Sequence, residues 1–126
     1  MSFSTNGQIT VADSSAAEVI YSEVQNTGSQ CIYADRTREI GIPRQLIISH
    51  QLVGTGEAAR VRSMVKFSNS VENSALEGDV AEHRIHLVLD TPSRLVQKTD
   101  VEDVLAQFID FISGGTFIDQ ITNREV

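Results

Sequence analysis

The apolar spacing of this chain changes period at Pro92, and that switch constrains the fold more than any other feature of the sequence. Before Pro92, short stretches alternate apolar with polar residues or are rich in β-branched ones, as strands do when successive side chains face opposite sides. They cover residues 8–13, 18–25, 30–35, 44–53, 60–68 and 80–91. Turn formers separate them: Ser14-Ser15-Ala16-Ala17, Asn26-Thr27-Gly28-Ser29, a polar loop over 36–43, Gly54-Thr55-Gly56 and a polar loop over 69–79. After Pro92, Val101, Val104, Leu105, Phe108, Ile109 and Ile112 recur every three or four residues, which aligns them along one stripe of a helix. Thr99-Asp100-Val101-Glu102 has the capping-box pattern expected at its start, and Asp100, Glu102 and Asp103 set negative charge against the positive end of its dipole. Ser113-Gly114-Gly115 stops the helix, and Thr116-Phe117-Ile118-Asp119 opens a second, shorter one.

Strands followed by segregated helices exclude an alternating βαβ arrangement, and short links between strands predict antiparallel pairing in an α+β fold. A length of 126 residues suits one domain, with a hairpin over 1–25, an antiparallel sheet over 30–91 and two helices over 99–124. One helix of about fifteen residues and one of about eight offer too little surface to cover a whole sheet face. A homodimer in which each copy's helices also cover the other's sheet answers that shortage, and Val104, Leu105, Phe108, Ile109 and Ile112 then lie at the seam.

Composition excludes several classes. Cys31 is the only cysteine, so no disulfide forms within the chain. Residues 1–10 lack the basic start and apolar run of a signal peptide, and no apolar stretch approaches the ~20 residues that span a bilayer, so the expectation is a soluble intracellular chain with no membrane partner. The net charge of −7 argues against a polyanion partner only in bulk, because Arg60, Arg62 and Lys66 fall in a segment without any acid.

Sorting strand residues by parity separates the chemistry. One side of the sheet collects Arg60, Arg62, Met64, Lys66, Arg84 and His86 with Gln45, Ser49 and Gln51, a surface suited to phosphates and bases. The other collects Val61, Val65, Phe67, Ile85, Leu87 and Leu89, with His50 and His83 expected as packed core histidines. His83 and His86 fall on opposite faces and have no Cys or further His beside them, so no metal site is expected. Gly54-Thr55-Gly56 joins two strands and has no helix start to receive an anion. Cys31 reads as a small packed hydrophobe. No catalytic constellation and no cofactor motif emerges, and the expectation is that the protein is not an enzyme.

The chain resembles the coat proteins of single-stranded RNA bacteriophages, the leviviruses. The resemblance rests on the element order and on Val65-Lys66-Phe67-Ser68-Asn69, His83-Arg84-Ile85-His86-Leu87, Asp103-Val104-Leu105-Ala106-Gln107-Phe108-Ile109 and Thr116-Phe117-Ile118-Asp119-Gln120-Ile121. It implies an N-terminal hairpin, a five-stranded antiparallel sheet and two C-terminal helices interlocking in a homodimer. It further implies dimers assembling into an icosahedral shell in the bacterial host cytoplasm, and an interior sheet face that binds stem-loops of genomic RNA. Such binding extends to repression of replicase translation. By position Lys66 resembles the family's RNA-contacting lysine, with Met64 beside it, Arg84 and His86 on the last strand and Ser49 across from them. Arg84 stands where the best-known members carry an aromatic ring, and Met64 and Ile47 where they carry small hydroxyl residues. A guanidinium plane can stack on a base or pair with phosphate instead. The loop 69–78 resembles the one that meets symmetry mates in the shell, without a cysteine for loop-to-loop disulfides. Two other functions fit the composition: a small dimeric α+β enzyme or ligand-binding protein with a cavity at His50 and His83 between sheet and helices, and a non-viral RNA-binding dimer.

Overall fold

The computed structural model describes residues 6–72, 75, 78–94 and 97–124. Six strands, β1 (Gln8–Ala12), β2 (Glu18–Asn26), β3 (Gln30–Ala34), β4 (Arg44–Val53), β5 (Arg60–Glu72) and β6 (Val80–Pro92), form one antiparallel sheet in chain order. Helices α1 (Lys98–Ile112) and α2 (Phe117–Thr122) follow. The six strands read from the spacing are all present, and because the N-terminal hairpin is continuous with the rest they make one sheet of six strands rather than the five that the resemblance implies.

The turns work as their residues suggest. Asp13 Oδ1 accepts from the Ser15 and Ala17 amides at 2.8 and 3.0 Å, which closes the β1–β2 connection. Gly28, at φ 89°, turns β2 into β3. A bulge at Val24, between Glu23 and Gln25, shifts the β2–β3 register and sharpens the local twist. The sheet curls: strands three apart lie about 14 Å apart in a flat sheet, yet the rings of Tyr21 on β2 and Phe67 on β5 pack edge to face at 5.9 Å. Inside this curl sits the core of Val19, Tyr21, Tyr33, Leu46 and Ile48, with Ile9, Val11, Cys31, Val65 and Phe67 packed around it.

Three local expectations need correction. Strand β5 runs on to Glu72, because Asn69, Ser70, Val71 and Glu72 pair with His83, Glu82, Ala81 and Val80 of β6, and a ladder outweighs the loop preference of Asn and Ser. The capping box does not form: α1 begins at Lys98, two positions earlier than a Thr99 cap requires, so Thr99 lies inside it, and the N-cap residue Gln97 makes no side-chain cap hydrogen bond. His50 and His83 are exposed rather than packed; the His50 ring nitrogen Nδ1 sits 2.8 Å from Ser63 Oγ.

Neither helix buries a single residue among those described. Phe111 packs edge to face on Phe117, but both helices touch the sheet only sparsely. The chain exposes 9833 Å², whereas a folded monomer of this mass would expose roughly 6,600 Å².

Candidate nucleic-acid interface

Strands β4, β5 and β6 are in full antiparallel register, so side chains on one face form rungs across three strands. Gln51, Arg62 and Asp90 form one rung, Ser49, Met64 and Val88 the next, then Ile47, Lys66 and His86, then Gln45, Ser68 and Arg84. Arg60 lies beyond the first, opposite Val53 and Pro92. All eight candidate contact residues, Arg60, Arg62, Met64, Lys66, Arg84, His86, Ser49 and Gln51, thus share the face opposite the core. Arg60, Arg62, Arg84, His86 and Gln51 are exposed, while Lys66, Met64 and Ser49 are half-buried in the row.

The face is not uniformly positive. Asp90, which is not among the candidate contacts read from the sequence, has the same parity as Arg84 and His86 and stands opposite Arg62. Arg60 Nε donates to Asp90 Oδ1 at 2.7 Å and Arg60 Nη2 to the Asp90 carbonyl at 3.1 Å, while Arg62 Nη2 lies 3.7 Å from Asp90 Oδ2. The Arg60 hydrogen bond, with the charge of both guanidiniums, holds the Asp90 carboxyl below the usual carboxylate range. Arg84 is also accompanied, by Glu82 at 3.7 Å. Lys66 has no carboxylate within ion-pair distance among the described residues. Counting positions by parity from Arg84 would have found Asp90; its bond to Arg60, two residues out of register, needed the structure.

On the opposite side, two apolar surfaces lie uncovered. Ile85 and Leu52, on the core side of the sheet, are 72% and 66% exposed, and on α1 Val104, Phe108, Ile109 and Ile112 are all exposed, with Leu105 half-buried. His83 borders an open depression shared with Tyr21, Phe67 and Ile85. A second depression runs between Leu89, Thr91 and Pro92 at the end of β6 and Val101 and Val104 of α1. Among the described residues no group of three or more His, Cys, Asp or Glu could hold a metal ion, and no helix is long and apolar enough to cross a membrane.

The antiparallel sheet with segregated C-terminal helices is the fold of RNA-phage coat proteins. A virus-like particle of Beihai levi-like virus 21 superposes with a TM-score of 0.75 at 9% identity, covering 95% of each chain. The bacteriophage EMS014 coat protein does so with a TM-score of 0.69 at 15% identity over 94% of this chain and 95% of that one. The bacteriophage GA protein capsid gives 0.63 at 12% identity over 94% and 95%. No family model matches the sequence, and no curated protein matches it. The likeness is therefore one of backbone path and not of residues.

Proposed function

We propose that this chain is a structural capsid protein that dimerises, assembles into an icosahedral shell and packages single-stranded RNA on the sheet face bearing Lys66. The observation that carries the reading is the pair of uncovered apolar surfaces on a chain with the coat-protein fold. Exposed apolar area of this extent on a helix stripe and on a sheet face calls for a partner that offers the complement of each, and a second copy offers both. The outer edge of β6 is unpaired, and a two-fold axis normal to the sheet would join β6 to its copy antiparallel. Helix α1 leaves the end of β6 and is about 22 Å long, enough to cross about four strands of the partner. Val104, Leu105, Phe108, Ile109 and Ile112 would then lie on the partner's Leu52 and Ile85 side.

Dimerisation would double the rungs across the axis and join two Lys66 sites into one platform for stem-loop RNA, with His86 and Arg84 beside them and Met64, Ser49 and Gln51 supplying contact and hydrogen bonds. Hairpin binding of this kind also covers the message it holds, which is the physical basis for repression of replicase translation. Capsids assembled in a host cytoplasm and enclosing RNA are the expected state. Electron microscopy of the expressed protein should reveal uniform particles whose extracted content is RNA. A protein that stays a dimer under every assembly condition and carries no nucleic acid would reject the reading.

A further inference from the structure

We propose that Asp90 is a built-in rival of RNA phosphate, closing Arg60 and partly neutralising Arg62, and so shifting phosphate capture to the rung that carries Lys66 and His86. The inference rests on the RNA-binding reading above and describes how that surface is divided.

Arg60 spends its Nε and Nη2 groups on Asp90, at 2.7 Å to Oδ1 and 3.1 Å to the backbone carbonyl. That fork is what a guanidinium presents to a phosphate when it binds bidentate. Arg62 turns to the second carboxylate oxygen at 3.7 Å. Two guanidiniums around one carboxylate leave a single net positive charge, and a phosphate approaching either must displace or lie beside an anion. Arg60 keeps that carboxyl ionised well below neutral pH. The other end differs. Lys66 is flanked on its rung by uncharged Ile47 and by His86 and has no carboxylate within ion-pair distance among the described residues, while Arg84 and Glu82 pair at 3.7 Å, the same separation as Arg62 from Asp90. Along β5, Arg62 and Lys66 are separated by about 13 Å, more than the ~8–10 Å over which salt screens exposed charges. The two ends therefore attract a polyanion separately, and Lys66 is the cation of this face that no carboxylate offsets among the described residues.

The test measures binding of a fluorescent oligouridine to the full chain between about 0.05 and 0.3 M salt. Asp90→Asn should bind about fivefold tighter at ~0.1 M salt for each guanidinium freed, with a salt dependence steeper by about 0.7 per guanidinium, as expected for added single-strand phosphate contacts. Asp90→Ser, which removes the charge and the carboxylate acceptor but leaves the backbone carbonyl, should give the same gain. Adding Arg60→Gln and Arg62→Gln to Asp90→Asn should abolish it. Wild-type affinity and slope in both Asp90 variants, alongside weakened binding in Lys66→Ala, would overturn the proposal and leave the RNA-binding reading standing. Absence of binding by the wild type at the lowest salt would overturn both.

Discussion

The four N-terminal strands and the two C-terminal helices meet the same burial problem with opposite outcomes. Strands β1 to β4 curl onto β5, so that Tyr33 and Leu46 are only 2% exposed. Helices α1 and α2 present an equally apolar stripe and leave Phe111 69% exposed. The difference lies in connectivity. A meander of strands joined by tight turns brings its apolar side chains together through twist, whereas α1, which follows the sheet's edge strand β6, leaves its stripe exposed. One half of the protein thus buries its apolar residues within the chain and the other half leaves them exposed.

The largest expected effect separates these halves. Replacing Phe108 by Ala should destabilise the dimer by about 3–5 kcal/mol per chain, and so about 6–10 kcal/mol per dimer if the two seams are equivalent. The loss would appear as a dissociation constant raised beyond the working range in sedimentation, with particles lost. Phe108→Ala dimers as tight as the wild type would place the stripe outside the seam. Leu46→Ala should cost about 2–5 kcal/mol as well, but as a fall in denaturant midpoint that does not depend on protein concentration at fixed dimer occupancy. A concentration-dependent shift equal to that of Phe108→Ala would erase the distinction between the halves.

Smaller effects sharpen the contrast between sheet face and core. Lys66→Ala should lower oligouridine affinity about fivefold at ~0.1 M salt and flatten the salt dependence by about 0.7, with the loss shrinking as salt rises. An unchanged slope would mean that Lys66 meets no phosphate. The smallest effect concerns the β3–β4 connection. Asp35 is partly desolvated, which favours its neutral form, but the Thr37 hydroxyl and amide at 2.7 and 3.0 Å, with Arg44 and Arg38 nearby, outweigh this and lower its pKa. A carboxyl depressed on folding contributes stability that is complete above its unfolded value, about 3.9, and is lost as pH falls through the folded one. Asp35→Asn should therefore flatten the decline of stability below about pH 4 relative to the wild type. An identical acid limb in both would remove Asp35 from that role.

Much of this was legible in the sequence, and the parts that were not share a cause. The six strands and the stripe of α1 follow from period-two and period-3.6 spacing, which each segment carries within itself. The same parity rule put Lys66 and His86 on one face, and the register makes them direct neighbours. Thr99 shows the limit: its motif is local, but α1 begins at Lys98, before the motif could cap it. His50 and His83 lie on the apolar side as parity predicts, yet they are exposed, because parity fixes the side a residue faces and not whether anything packs over it.

Alternation and helical periodicity by themselves determined which residues become strand or helix and which side each faces, since both depend on bonds between near neighbours. Tertiary structure alone decided that the hairpin joins the sheet, that β5 extends to Glu72 and that Arg60 and Arg62 close on Asp90. Those outcomes depend on which strand lies beside which and in what register, and pairing energy between distant segments is not written in the spacing of either one.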